Sequence, residues 1–166
     1  MKNSSIKPRL IFIITIILFG AFMRLIPHWP NFTPIAAMAL FGGAYLERRF
    51  LAYLIPIAAL FVSDLILGFH DMMIAVYIAF ALTVTIGFSI RRNVNAGRVM
   101  GTALISSVIF FIITNFAAWL ASPIYVKDFT GLSQAYLAGL AFLNDGSYGI
   151  SFFFNEVLGT VFYSTL

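Results

Sequence analysis

Long apolar runs separated by short polar connections make up almost the whole chain. Because a bilayer-spanning helix needs about 20 mostly apolar residues, this pattern predicts an all-α integral membrane protein built as a six-transmembrane-helix bundle. The predicted spans cover residues 10–26, 33–46, 50–69, 72–90, 98–121 and 148–166. A further short helix, lying on or dipping into the outer face, is predicted at about 133–143. The alternative is five spans, with residues 134–166 inserting as one bent element.

Prolines mark several of the predicted boundaries. The first span stops before Pro27, and the second starts at Thr33-Pro34, where a cap residue precedes a proline at the first helical position. Pro56 interrupts the third span. We find neither an internal repeat nor a second domain, so residues 1–166 are interpreted as a single transmembrane domain.

The first apolar run follows a basic start and therefore has two interpretations. A basic stretch before an apolar run is also the pattern of a secretory signal peptide. However, no convincing small-x-small cleavage site follows the run, and several further spans come after it. A start-transfer helix that remains in the protein is the preferred interpretation.

Positive charge concentrates in alternate connections. Eight of the ten lysine and arginine residues lie in the stretches 2–9, 48–49 and 91–98. Because such loops stay cytoplasmic during insertion, both termini are predicted to be cytoplasmic. The connections around residues 27–33, 70–71 and 122–130 are then on the outer face. The net charge of +4 follows from the cytoplasmic loops, so we expect no nucleic-acid binding.

Composition and motifs exclude several classes of protein. With 61% apolar and 10% charged residues, the chain is far more hydrophobic than soluble domains, in which roughly 25% of residues are charged. The absence of cysteine removes disulfides, thiolate metal sites and cysteine nucleophiles. The sequence also lacks a phosphate loop, a G-x-S-x-G elbow and an H-E-x-x-H motif. We therefore expect a protein that is not an enzyme, and a membrane enzyme is the weakest alternative.

Three ionisable residues fall inside the predicted spans. Arg24, Asp64 and Glu156 all lie in the outer or middle part of the bilayer when about 1.5 Å is counted per helical residue. Ionisable groups at this depth are expensive and are functional hypotheses by default. Either Arg24 pairs with Asp64 or Glu156 to pin helices together, or these residues line a cavity, with or without pairing.

Polar and aromatic residues concentrate at the predicted outer face. On the fifth span, Asn115, Trp119 and Ser122 share one helix face, although a tryptophan there could belong to the aromatic belt. An apolar bowl with a few convergent polar groups is typical of a small-molecule site. The candidate substrate-binding residues are Arg24, Trp29, Asn31, Asp64, His70, Asp71, Asn115, Trp119, Tyr125, Asp145 and Glu156.

His70 raises the question of a metal site. Histidine is a common metal ligand, but His28 is the only other histidine, and the set does not complete a tetrahedral site. We therefore expect no catalytic metal and no cofactor of the protein's own. Interfacial hydrogen bonding is the simpler role for His70, and an axial bond to a metal already carried by a cofactor is the alternative.

Three stretches of the sequence carry a family resemblance. They are Pro30-Asn31-Phe32-Thr33-Pro34 running into Ala39–Ala44, Ser63–His70, and Thr114–Trp119. Through them the chain resembles an uncharacterised bacterial family described as membrane transport proteins. That family is similar to the S components of energy-coupling factor (ECF) vitamin transporters, with the solitary cobalamin-type S components the nearest.

The resemblance implies a multi-pass protein of the bacterial cytoplasmic (inner) membrane that captures a vitamin-sized ligand at its outer face. The transported ligand would be cobalamin or another vitamin, and the partners would be the lipid bilayer and a membrane coupling subunit with ATPases. Our preferred hypothesis is therefore a substrate-binding protein for nutrient uptake, without catalysis of its own. The main alternative is a small accessory or structural subunit of a larger membrane complex.

Overall fold

The computed structural model describes residues 8–27, 29, 31–141 and 151–165. All secondary structure in these ranges is helical, which confirms the all-α prediction. The helices are α1 (Pro8–Leu25), α2 (Ile35–Tyr45), α3 (Arg49–Leu67), α4 (Met73–Ile90), α5 (Ala96–Ala121), α6 (Phe129–Ala141) and α7 (Phe152–Thr165). Their ends fall within about one helical turn of the boundaries predicted from the sequence.

Within the described residues, three helices, α3, α4 and α5, are long and apolar enough to cross a bilayer. The apolar part of α1, Ile11–Leu25, and the apolar helix α2 are shorter, and α7 has 14 residues. This set of apolar helices is compatible with a membrane protein. The count of six spans and the cytoplasmic position of both termini stay predictions.

The short helix α2 lies at the centre of the bundle, where it contacts α3, α4, α5 and α7. Eight of its 11 residues are buried, and most of these are alanine or glycine. Small residues allow neighbouring backbones to approach closely. A Cβ placed on Gly43 would meet the Val84 carbonyl oxygen of α4 and lie 2.9 Å from the Gly87 Cα. The glycine pair therefore permits the close crossing of α2 and α4.

A proline in α3 creates a second close approach to α2. Pro56 has no N–H and cannot donate to the carbonyl of Ala52, four residues earlier. Gly42 of α2 lies against this carbonyl, since a Cβ on Gly42 would be 3.1 Å from the Ala52 oxygen. The backbone of α2 thus covers the carbonyl group that the proline leaves without its helical donor.

The apolar core lies between α2, α3, α4 and α5. It includes Ile35, Leu60, Phe80, Val84 and Phe110, all of them buried. The rings of Phe80 and Phe110 have centroids 5.4 Å apart and hold α4 against α5. This core fixes the middle of α5, and the next two turns of α5 form part of the candidate site.

The two ends of the bundle differ in chemistry. At one end, which we call the basic end, Arg91 donates to the carbonyl of Gly43 at 3.1 Å and to that of Leu46. At the same end the Asn95 side chain accepts a hydrogen bond from the Arg98 amide and caps α5. The opposite end, which we call the loop end, is formed by the connections before α2, between α3 and α4, and between α5 and α6.

Candidate functional site

A cavity of about 420 Å³ opens at the loop end, and we call it the loop cavity. Small-molecule sites usually enclose about 300–1,000 Å³ and are mostly apolar with a few polar groups. Phe110, Phe111 and Phe153 contribute aromatic walls. Its polar lining residues are Asn31, His70, Thr114, Asn115, Tyr125 and Glu156. The cavity therefore has the size and composition of a small-molecule site.

Five of the residues predicted as substrate-binding line this one cavity, and they come from five separate parts of the chain. Asn115 comes from α5 and Glu156 from α7. Asn31, His70 and Tyr125 come from the three connections of the loop end.

Glu156 is the acidic residue of this cavity. The residue is 4% exposed, and its Oε1 accepts a hydrogen bond from Thr160, one turn further along α7, at 3.0 Å. In the described part of the chain, neither lysine nor arginine lines the cavity. The one ion pair found within these residues joins Arg24 and Asp64 instead. Within this part of the chain, Glu156 therefore faces the cavity without a basic partner.

The side of the cavity formed by α5 and α6 is held by polar and aromatic contacts. Asn115 donates to the Phe111 carbonyl at 2.9 Å, and Gly139 of α6 lies against the Asn115 amide, where a Cβ would not fit. The Tyr136 hydroxyl of α6 donates to the Ile112 carbonyl at 2.8 Å. Burial raises the pKa of the Tyr136 hydroxyl. These contacts fix the orientation of Asn115 at the cavity wall.

Two unusual backbone conformations shape the rim. Gly68 ends α3 with φ of 95°, a region that favours glycine, and the chain then turns to bring His70 to the cavity. Asn31 has φ of 65°, the left-handed conformation that asparagine adopts more readily than most residues. The two rim residues are thus placed by local turns that connect α1 to α2 and α3 to α4.

Trp119 lies outside the cavity lining and organises the connection that carries Tyr125. Its indole Nε1 donates to the Val126 carbonyl at 2.9 Å. The Lys127 ammonium lies 5.7 Å from the centroid of the Trp119 ring and donates to the carbonyls of Trp119 and Ser122. Trp119 and Lys127 together fold the connection back onto the end of α5.

Arg24 and Asp64 form a partly buried ion pair between α1 and α3 and do not line the loop cavity. Their closest atoms are 2.6 Å apart, and Asp64 is 1% exposed. The second carboxylate oxygen accepts a hydrogen bond from Tyr77 of α4 at 2.8 Å, while Arg24 also donates to Ser63. Of the two partners considered for Arg24, the structure shows Asp64. The group joins three helices.

Of three other predicted site residues, two lie apart from the cavity lining and one lies outside the described residues. Trp29 packs edge-on against Phe32 with ring centroids 5.8 Å apart and is about half exposed. Asp71 is exposed in the connection between α3 and α4. Asp145 falls outside the described residues.

The aromatic lining was missing from the sequence prediction. Phe111 packs against Phe153 of α7 with ring centroids 5.0 Å apart, so the two helices meet through these rings at the cavity. A signal was present, because Phe111 lies one helical turn before Asn115 and so shares its helix face. Phe153 precedes Glu156 by three residues in the same way. Phenylalanine is so common in this chain that neither residue stood out.

Metal ligands do not cluster in the described residues, where no group of three or more histidine, cysteine or acidic side chains is close enough to hold an ion. At the loop cavity, aromatic rings offer stacking surfaces, while two amides, two hydroxyls, an imidazole and one carboxyl group can orient a ligand.

The described residues thus form an all-helical fold, rich in apolar helices, with a small-molecule-sized cavity at the loop end. The sequence profile of a family of unknown function (DUF6580) matches residues 4–166, and the chain belongs to this family. No curated protein and no solved structure matches the chain.

Proposed function

We propose that this protein binds a small vitamin-like nutrient in the loop cavity and serves its uptake across the bacterial cytoplasmic membrane. It would act as a substrate-capture subunit similar to the S components of ECF transporters. The observation that carries this proposal is the loop cavity itself, in which six polar residues from five separate parts of the chain converge among aromatic side chains.

The cavity supports binding of a ligand with both apolar and polar parts. Phe111 and Phe153 present aromatic rings, and aromatic surfaces contribute large contact areas with defined geometry. Asn115 and Glu156 add polar groups that can fix the orientation of the ligand. This combination of apolar area and a few placed polar groups is how small-molecule sites usually gain both affinity and specificity.

The charge distribution supports uptake from the outside. Under the positive-inside rule, the basic end with Arg48, Arg91 and Arg98 is cytoplasmic, and the loop cavity then opens outward. Because the sequence lacks a phosphate loop, ATP-driven release would need a separate coupling subunit with ATPases. We propose that partnership from the resemblance to ECF transporters alone.

A second cavity supports a route through the bundle. It has a volume of about 400 Å³, lies at the basic end and is lined by residues that include Phe41, Asn95 and Ser164. It shares no lining residue with the loop cavity, and the buried residues Ser106, Ser107 and Thr160 lie along α5 and α7 between the two linings. Passage of a ligand would therefore require helices to separate, and capture and release would be distinct steps.

Mass spectrometry of small molecules retained by the gently purified protein tests the proposal directly. The expected result is a single retained nutrient-sized molecule whose occupancy falls in the variants Asn115→Ala and Phe153→Ala. One hydrogen bond contributes about 0.5–1.5 kcal/mol, so Asn115→Ala should weaken binding by about 2- to 12-fold. Ser89→Ala is the matched control, because Ser89 lies near the basic end and bonds within its own helix.

Two results would count against the proposal. The first is unchanged ligand affinity and uptake in both cavity variants. The second is an empty cavity combined with stable, stoichiometric co-purification with larger membrane subunits, which would favour the accessory-subunit alternative.

A further inference from the structure

We infer that the ligand of the loop cavity is a small organic cation and that the Glu156 carboxylate is its counter-ion. The inference rests on the proposed binding function and adds the charge class of the ligand.

The first argument is the isolation of the Glu156 carboxylate. It is almost fully buried, and its described protein partner is the Thr160 hydroxyl on Oε1. Moving a carboxylate out of water without a compensating charge is very unfavourable. A cationic group on the ligand would supply that charge at the position where the carboxyl group meets the cavity.

The second argument is that Arg24 and Lys127, two basic side chains at the loop end, are already engaged. Arg24 pairs with Asp64, and the Lys127 ammonium donates to two backbone carbonyls near the end of α5. Helix α7 packs against α2, α5 and α6, and these helices carry only one lysine or arginine, Arg98 at the basic end. Among the described residues, the other titratable groups that line the cavity are His70 and Tyr125. Within the described residues, no basic side chain pairs with Glu156, so the ligand would supply the positive charge.

The third argument is the aromatic wall. Phe110, Phe111 and Phe153 line the same cavity as Glu156, and Phe153 lies one turn before it on α7. The negative face of an aromatic ring attracts a cation within about 6 Å of its centroid. A carboxylate beside several aromatic rings is the combination that recognises ammonium and protonated heterocyclic groups.

The size of the cavity favours an organic cation over a metal ion. A volume of about 420 Å³ far exceeds that of a bare ion, and the described residues contain no cluster of three metal-binding side chains. A divalent metal such as calcium binds six or more oxygen ligands in proteins. One carboxylate supplies few of these ligands and only one negative charge. The remaining cavity volume would accommodate the apolar body of the ligand.

A matched series of probes tests the charge class. Tryptamine, tryptophol and indole-3-acetate share an indole ring and differ mainly in a cationic, neutral or anionic end group. Their binding to the purified full-length protein in a neutral detergent is measured by isothermal titration calorimetry. We expect tryptamine to bind at least about 10-fold more tightly than tryptophol, because a hydrogen bond to a charged group is stronger than a neutral one. Indole-3-acetate should bind most weakly.

Glu156→Gln is the decisive variant, since it removes the charge and preserves the shape of the side chain. It should lower tryptamine affinity by about 10- to 100-fold and leave tryptophol affinity within about 3-fold. Glu47→Gln makes the same chemical change in the exposed connection between α2 and α3 and should change neither. If Glu156→Gln does not fold, the cation preference of the native protein still decides the question.

The possible failures are distinguishable. Equal or tighter binding of tryptophol to the native protein would overturn the inference. So would a retained native ligand that is neutral or anionic. If the binding of tryptophol or of a neutral or anionic native ligand is lost in Phe153→Ala, the proposed function stands and only the charge class is wrong. Failure of all three probes to bind, with no retained ligand, would count against both proposals.

Discussion

Substitution of Arg24 by alanine tests the buried ion pair that joins α1 to α3. The pair is 2.6 Å long, and the exposure of the two side chains differs, at 17% for Arg24 and 1% for Asp64. After Arg24→Ala, the Asp64 carboxylate stays buried with the Tyr77 hydroxyl at 2.8 Å as its main remaining polar partner. One hydrogen bond does not replace a full opposite charge.

The expected loss of unfolding free energy follows from this asymmetry. Removing one partner of a buried pair commonly costs about 3–5 kcal/mol, and we expect Arg24→Ala to fall in this range. Asp64→Ala should cost less, about 2–3 kcal/mol, because the long Arg24 side chain can redirect its charged end toward polar surroundings. The double variant leaves neither charge unpaired. It should be less destabilised than the sum of the singles by about 2–3 kcal/mol.

Reversible unfolding in mixed detergent–SDS micelles measures these free energies for all variants. Tyr77→Phe adds a graded test, since it removes only the hydrogen bond to the carboxylate and should cost about 1.5–3 kcal/mol. Glu47→Ala is the control for loss of an exposed charge, and we expect a change within about 0.5 kcal/mol. Strict additivity of the Arg24 and Asp64 single variants would refute the reasoning, because it would mean that the two charges do not interact.

Two further predictions concern packing and topology. Gly43→Ala should destabilise the protein by about 1–3 kcal/mol, because the added Cβ meets backbone atoms of α4. Gly101→Ala is the control and should be neutral or slightly stabilising, because a Cβ there has open space. Unfolding in mixed micelles measures the free energy of unfolding of both variants. Single cysteines introduced by Arg48→Cys and Asn95→Cys should be protected from an impermeant thiol reagent in intact cells, and one introduced by Lys127→Cys should react. Labelling at position 95 from outside would contradict the six-span topology, and the cysteine-free chain gives this experiment a clean background.

The helices were largely predictable from sequence, and their arrangement was not. Long apolar runs located the ends of α3, α4 and α5 well, because these helices are long and continuous, and α3 runs through Pro56 without the predicted interruption. The central position of α2 was not evident, since a run of alanine and glycine predicts close packing but not the identity of the packed neighbour. The Gly43–Gly87 contact depends on the crossing of α2 and α4, which only the three-dimensional structure shows.

The candidate site shows the same division. The polar residues Asn115 and Glu156 were found because polar groups in apolar helices are rare and expensive. Trp119 was assigned to the same stripe by helical spacing, but its indole turns to the Val126 carbonyl of the following connection. Helical spacing predicts which residues share a face of one helix. It does not predict whether a loop folds back to cover one of them.

The shortness of α2 has an electrical consequence. At about 1.5 Å per residue, its 11 residues measure about 16 Å, roughly half of the 30 Å hydrocarbon core of a bilayer. A cavity lies toward each end of this helix, so in the proposed orientation most of the membrane potential would fall across the closed layer between the cavities. A cation moving inward from Glu156 would cross most of that potential within a short displacement, gaining up to about 2.3 kcal/mol per 100 mV. The membrane potential would therefore favour inward release of a positively charged nutrient.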